Sequence, residues 1–347
     1  MKINGRNIGP EFTPFIIAEM SGNHNQSLDR ALQIVDAAAA SGAHALKLQT
    51  YSAETMTLDS AENEFFISDP NSPWFGQSSY ELYSKAHTPL DWHKPIFDRA
   101  KSHGMSCFSS PFDETAIDFL EDLNVPAYKI ASFECIDLPL ITYAAKTGKP
   151  LIISTGMATL SEIEEAVMAA RDAGCEQLIL LKCTSTYPSS PNNTNVRTIA
   201  HMSDIFGCQI GLSDHTMGIG ASIAAVAMGA TVIEKHFTLR RSDGGVDSAF
   251  SLEPNEMTSL VIETERAWKS LGEIFYGPTD AEKLARNRRR SLYVVKDLAK
   301  GDVLTSENVR RLRPGHGLMP KYYKIVLGRS VNRDVERGTP LSWEIIS

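Results

Sequence analysis

No apolar run in this chain of 347 residues approaches the roughly 18 that a membrane-spanning helix needs. The opening residues, Met1 to Arg6, have no apolar core of the kind a signal peptide carries, so a cytoplasmic protein is expected. Cysteine is sparse. Cys107, Cys135, Cys175, Cys183 and Cys208 are odd in number, widely spaced and free of any Cys-x-x-Cys, which argues against a disulfide framework and a structural zinc site. Cys107, Cys183 and Cys208 fall in apolar, strand-like runs and read as buried structural thiols. Positive charge is in deficit, with Lys and Arg at 34 against Asp and Glu at 42, a net charge of −8. The one basic cluster, Arg288, Arg289 and Arg290, falls near a domain joint, so no nucleic-acid partner is expected.

What is present is an alternation of strand and helix. Apolar runs at 15–20, 43–50, 105–112, 127–132, 151–156, 178–185, 208–215 and 231–239 read as buried parallel strands. A helical pattern follows each. Leu28, Ala31, Leu32 and Val35 form one apolar face, and Thr159 with Glu162 forms a capping box. Gly42, Gly104, Gly148, Gly174, Gly207 and Gly229 stand where helices end. Eight such units predict a closed (β/α)8 TIM barrel over residues 1–272, with an open doubly wound sheet as the runner-up. A long insertion at 51–89, bearing Phe65, Phe66, Trp74, Phe75 and Tyr80, is expected to serve a site. Residues 273–289 read as a linker and 290–347 as a small C-terminal β domain. In that domain 297–305 echoes 334–342, which predicts two similar turn units related by pseudo-symmetry.

Function in such a barrel is built at the C-terminal strand ends. Lys47 and Lys129, with the hydroxyls of Ser110, Ser132, Ser154 and Ser213, suit a phosphate. His215 and His236 end neighbouring strands, which are roughly 4.8 Å apart, and can share a metal; Glu19 and Glu234 are near. Nitrogen and oxygen donors without thiolate suit Mn²⁺ or Mg²⁺. Asp243, Asp247 and Glu253 follow the last strand and could meet sugar hydroxyls.

In order along nearly the whole chain, several segments resemble the sialic acid synthase family. They include Ala18-Glu19-Met20-Ser21-Gly22-Asn23-His24-Asn25, Leu46-Lys47-Leu48-Gln49, Phe108-Ser109-Ser110-Pro111-Phe112, Lys129-Ile130-Ala131-Ser132, Ser213-Asp214-His215-Thr216 and Glu234-Lys235-His236-Phe237. The tail, with Arg313-Pro314-Gly315, resembles the family's antifreeze-like (SAF, β-clip) domain. Met20-Ser21 and the stretch from Ser242 to Ser251 are most similar to the pseudaminic acid branch rather than the N-acetylneuraminate or legionaminate branches. The resemblance implies condensation of phosphoenolpyruvate with an N-acetylated amino sugar, with release of phosphate. It implies that Lys47, Ser110, Lys129, Ser132, Ser154, Ser185 and Ser213 hold phosphoenolpyruvate, and that Gln49, Glu134, Tyr187, Asp247 and Arg313 face the sugar. It further implies His215 and His236 on a divalent ion (Mn²⁺ first, Mg²⁺ or Co²⁺ as alternatives), and Glu19, Glu234 and Lys129 as catalytic groups. A homodimer is implied in which Arg313 enters the partner's barrel. Two other classes remain open: a related enzyme making a seven- or eight-carbon sugar acid, and a non-catalytic carbohydrate-binding protein.

Overall fold

The computed structural model describes residues 1–60, 62–70 and 72–347. The chain folds as two compact units, Met1–Gly272 and Glu273–Ser347.

The first unit begins with a hairpin, β1 (Lys2–Ile3) and β2 (Arg6–Asn7), turned by Asn4 and Gly5 at φ 47° and 80°. Both positions need positive φ, which is why Asn-Gly serves this turn. Sequence reasoning did not find this hairpin. Eight parallel strands follow: β3 (Phe15–Glu19), β4 (Ala45–Thr50), β5 (Ser106–Pro111), β6 (Tyr128–Ile130), β7 (Leu151–Ser154), β8 (Leu178–Cys183), β9 (Gln209–Asp214) and β10 (Val232–His236). β10 pairs with both β9 and β3, which closes the barrel and rules out the open-sheet alternative. Helices Leu28–Ala40, Leu90–Ser102, Glu114–Asp122, Leu138–Ala145, Leu160–Asp172, Thr198–Phe206, Gly220–Ala227 and Pro254–Leu271 form the outer ring. Their ends follow local chemistry. Ser27 caps the first, Thr159 and Glu162 close a reciprocal capping box on the fifth, and Gly207 ends the sixth in the left-handed region.

The strand pleat sorts side chains into two cores. Outward residues such as Leu46, Leu48, Ile130, Leu180, Leu212 and Ile233 pack under the helices. Inward residues Phe15, Ile17, Ala45, Phe108, Ile152, Ile179, Leu181 and Val232 fill the lower barrel together with Ile3 and Ile8 of the hairpin segment. The interior is full enough that β9 needs a glycine. A Cβ on Gly211 would stand 2.6 Å from Leu181 Cδ2 and also strike the Val232 carbonyl. The insertion folds into short helices Ala53–Met56 and Ser79–Ala86, joined by a bridge between Phe66 and Ser78.

In the second unit, β11 (Ser291–Val294) and β12 (Val309–Leu312) pair antiparallel over a core of Leu292, Val294, Leu298, Leu304, Val309, Val331, Val335 and Leu341. The sequence echo, an offset of 37 between equivalent positions such as Asp297 and Asp334, appears here as reciprocal bonding. Asp334 accepts from Lys300 N–H at 2.8 Å, and Asp297 accepts from Arg337 N–H at 2.7 Å. Leu298 and Val335 exchange both backbone bonds. The predicted pseudo-symmetry is therefore present.

His24 and His93 are among the histidines held neutral in the first unit. His24 accepts the Gln26 N–H on Nδ1 at 3.2 Å, leaving Nε2 to donate to Thr88 at 3.3 Å. His93 donates from Nδ1 to the Pro89 carbonyl at 3.1 Å and accepts from Thr50 on Nε2 at 2.8 Å. Burial holds both rings down to about 4. The unfolded chain, with ordinary histidine near 6.5, therefore binds more protons in between. Each ring's contribution, about 3 kcal/mol, is complete above pH 6.5 and lost as pH falls through 4. Denaturant titration should show stability dropping across this window, and less steeply in a His24→Gln/His93→Gln double variant. Equal slopes in the two proteins would contradict the assignment.

Candidate active site

Inward positions change character near the C-terminal strand ends. Below lie Phe15, Ala45, Phe108 and Val232; one or two inward positions further along the same strands come Glu19, Lys47, Ser110 and Glu234. With Lys129 from β6 and Ser213 from β9 these side chains form one joined cluster, all of it buried. The Lys47 ammonium is paired with Glu19 Oε2, lies 4.0 Å from Glu234 Oε2 and donates to Ser110 at 3.2 Å. Lys129 reaches Glu234 Oε1 at 3.1 Å, and the Ser213 hydroxyl donates to the same oxygen at 3.1 Å. Two ammonium groups face two carboxylates, so the cluster is neutral when all four ionise.

Burial acts on every member, and the partners decide the outcome. Burial pushes Glu19 up to about 7, because Lys47 only partly offsets the cost and the Glu234 charge adds to it. Glu234 is also penalised by burial, but Lys129 and Lys47 outweigh that and hold it below the usual range. Glu19 is therefore the carboxylate poised to exchange a proton near neutrality.

Beside the cluster, Ser132 accepts the Gly156 N–H at 3.1 Å. A Cβ on Gly156 would stand 2.7 Å from the Ser132 hydroxyl oxygen and overlap that of Ser185, so the glycine keeps a small hollow open between them. Ser154 Oγ is buried there with no hydrogen-bond partner. The rings of His215 and His236 lie 5.3 Å apart. His215 Nδ1 donates to the Thr184 carbonyl at 3.0 Å, which leaves Nε2 free. Burial, followed by the charge of His215, keeps His236 well below the ordinary histidine range, and its buried Nδ1 makes no hydrogen bond. Asp247 Oδ2 accepts from Ser21 and stands 3.9 Å from that nitrogen. Burial lowers His215, but its hydrogen bond to Cys183 and the charge there outweigh that and raise it above the ordinary range, so this ring gives up a proton on taking a metal while His236 is already neutral. Two imidazoles with uncommitted nitrogens fit a divalent ion with an otherwise open shell. Among the described residues, no three His, Cys, Asp or Glu side chains gather to hold one alone.

Aromatic rings line the other side. Tyr187 lies 4.4 Å from His215, 5.3 Å from Phe250 and 5.7 Å from Trp74 between ring centroids. Trp74 comes from the long insertion, and its indole N–H donates to the Val246 carbonyl at 3.0 Å.

A family model described as the NeuB family matches residues 34–276, and one described as the SAF domain matches 289–346. The chain belongs to the NeuB family. It is 44% identical over 332 residues to a pseudaminic acid synthase of Helicobacter pylori, covering 95% of this chain and 96% of that one. It is 43% identical over 330 residues to a pseudaminic acid synthase of Campylobacter jejuni, covering 94% and 95%. Among solved structures, an N-acetylneuraminic acid synthetase from Leptospira borgpetersenii, in complex with citrate, superposes with a TM-score of 0.74 at 33% identity. That alignment covers 82% of this chain and 94% of the other.

For this NeuB-family chain, Glu19, Lys47, Ser110, Lys129, Ser213 and Glu234 meet directly. Ser132 and Ser185 flank Gly156, and Tyr187 and Asp247 adjoin the histidines. Gln49 is half-buried on an inward position of β4. Glu134 is also half-buried; one of its oxygens is enclosed without a partner, and burial raises the carboxyl to about 7. Arg313 is an exposed residue of the second unit. Of the polar groups ending the last two strands, Asp214 and Lys235 turn outward and pair at 3.0 Å behind the site. Cys183 joins the site instead, its sulfur 3.8 Å from His215 Nδ1 and 3.7 Å from Ser185. The alternation of inward and outward positions was the signal that would have found both.

Removing one charge from the cluster should expose its balance. Lys129→Met strands the Glu234 carboxylate and should cost about 3–5 kcal/mol. Adding Glu234→Gln should recover at least half of that in urea unfolding. Equal losses in single and double variants would show that the two side chains are not coupled.

Proposed function

We propose that this protein is a pseudaminic acid synthase. It condenses phosphoenolpyruvate with 2,4-diacetamido-2,4,6-trideoxy-β-L-altrose and water, giving pseudaminic acid and phosphate. The observation that carries the reading is the two-lysine, two-carboxylate cluster beside the histidine pair; the likeness to the two pseudaminic acid synthases supports the choice of sugar.

In this reading Lys47, Lys129, Ser110, Ser132, Ser154, Ser185 and Ser213 bind phosphoenolpyruvate. Its negative charge, arriving beside Glu19, raises that carboxyl further, so Glu19 enters the reaction protonated. A divalent ion held by His215 and His236, Mn²⁺ first and Mg²⁺ or Co²⁺ as alternatives, would supply Lewis-acid polarisation of the open-chain aldehyde. Carbon 3 of phosphoenolpyruvate attacks the aldehyde carbon, and the new alkoxide takes a proton. Water adds at carbon 2 and gives up a proton, and the tetrahedral intermediate expels phosphate by C–O cleavage. Glu19 and Glu234 move these protons, with Lys129 holding Glu234 in place. Gln49, Glu134, Tyr187 and Asp247 face the sugar, and Val246 and Phe250 meet its 6-methyl group, where a hydroxyl would lack partners.

The same reading takes 1–272 as the catalytic domain, 273–289 as a linker and 290–347 as the antifreeze-like domain. The working unit is a homodimer in which Arg313 of one chain completes the other's sugar site. The enzyme works in the cytoplasm, where phosphoenolpyruvate is made. No helix among the described residues is long and apolar enough to cross a membrane.

Phosphate release from phosphoenolpyruvate should require a divalent metal, stop on chelation and resume with Mn²⁺. The altrose derivative should be used in preference to N-acetylmannosamine and to the legionaminate precursor; a reversed order assigns the chain to one of those branches. Separately, ¹⁸O in the bridging oxygen of phosphoenolpyruvate should leave with phosphate. Label kept in the sugar acid would refute C–O cleavage.

A further inference from the structure

The most deeply buried ion pair in the barrel plays no part in the chemistry above. Asp214 Oδ2 and Lys235 Nζ are 3.0 Å apart, with both side chains at 0% exposure. They are ladder neighbours on β9 and β10. Each is followed immediately by a histidine, Asp214 by His215 and Lys235 by His236. Because side chains alternate across a strand, the pair lies on the outer face directly behind two imidazoles on the inner one.

The pair does more than cancel charge. Asp214 Oδ1 accepts the Thr216 N–H at 2.8 Å, and Lys235 Nζ donates to the Thr216 carbonyl. Both backbone polar groups of the residue after His215 are thereby held from outside. Ser222, on the helix Gly220–Ala227, donates to Asp214 Oδ2 at 2.6 Å and ties the pair to the outer ring. Alongside, Ser189 N–H donates to the His215 carbonyl at 2.9 Å, and Ser189 and Thr216 form a parallel β-bridge. The backbone that carries His215 is fixed from the outer face and from the neighbouring chain segment, and the strand that carries His236 is joined to it through Lys235.

We propose that Asp214 and Lys235 are positioning residues for the His215–His236 pair: a buried clamp behind the two strand ends that fixes imidazole spacing and so sets divalent-metal affinity. This rests on the reading of those histidines as the metal ligands. Two strands that can slide or splay do not hold two imidazoles at one separation. Groups behind metal ligands commonly contribute ten- to a hundredfold in affinity. Burial alone is no argument for such a role, since a well-packed apolar pair can replace an ion pair without loss of stability. That difference supplies the test.

The full-length protein is titrated with Mn²⁺ alone, with binding followed by water-proton relaxation and folding by thermal melting. Wild type should bind and His236→Ala should not. The Asp214→Asn/Lys235→Met double variant removes both charges together and leaves no lone buried ion. It should keep a cooperative melt and bind Mn²⁺ roughly ten- to a hundredfold more weakly. Ser222→Ala, which leaves the ion pair intact but unanchored, should weaken binding several-fold and decides the matter if the double variant does not fold. Ile34→Val, a cavity variant in the helical ring, supplies a protein destabilised away from the mouth. Wild-type affinity in both Asp214→Asn/Lys235→Met and Ser222→Ala overturns the clamp, and so does an equal weakening in Ile34→Val. If wild type and His236→Ala take up Mn²⁺ alike, the metal reading itself falls and the clamp falls with it.

Discussion

Charge neutrality inside a closed barrel is the constraint on which this structure turns. Four ionisable side chains from β3, β4, β6 and β10 are taken out of water together, and the charge on each is tolerable only because the others are present. The arrangement requires the register of the whole barrel. A slip of one residue in any of these strands would send its charged side chain outward under the helices and bring an outward neighbour, such as Leu46 or Leu48 beside Lys47, into the mouth. The pairing that closes the barrel therefore also assembles the cluster.

The same alternation explains how a reactive rim coexists with a packed interior. Below the charges the barrel is filled by Phe15, Phe108, Ile152, Ile179 and Leu181, closed from beneath by Ile3 and Ile8. The side chains above thus stand on a rigid floor rather than over a channel. Around the rim the holding groups are largely backbone: the Thr184 carbonyl on His215, the Phe237 carbonyl on Asn23, and the Val246 carbonyl on Trp74. Side chains are oriented by main chain that the barrel has already fixed, so rotamer freedom near the candidate chemistry is small.

Much of this was legible in the sequence, because the signals that carry it are local. Eight buried strands announce themselves as apolar runs, helix ends by the Thr159–Glu162 box and Gly207, and the repeat in the tail by simple echo. Polar residues ending apolar strands pointed to the mouth, and the cluster around Glu19, Lys47, Lys129 and Glu234 is there. What escaped was of two kinds. Direction escaped where one polar residue follows another: Ser213, Asp214 and His215 read alike until the pleat assigns the middle one to the outside. Long-range partnership escaped wherever it joins loops rather than strand ends. Nothing near Trp74 in sequence says that its indole meets a carbonyl at Val246, and strands of two residues such as β1 are too short to leave a periodic trace.

The reciprocal bonding of the second unit bears on how that unit comes to be folded. Asp297 waits for Arg337 and Asp334 for Lys300, so neither turn is finished by its own half. A chain halted between the two repeats has half a core and one aspartate, Asp297, with no amide to receive. The closing contacts span a separation whose loop entropy must be met before any of them forms, and once one has formed the mate across the pseudo-axis is already in register. The two halves therefore gain their stability from each other, and completing one turn favours completing its mate.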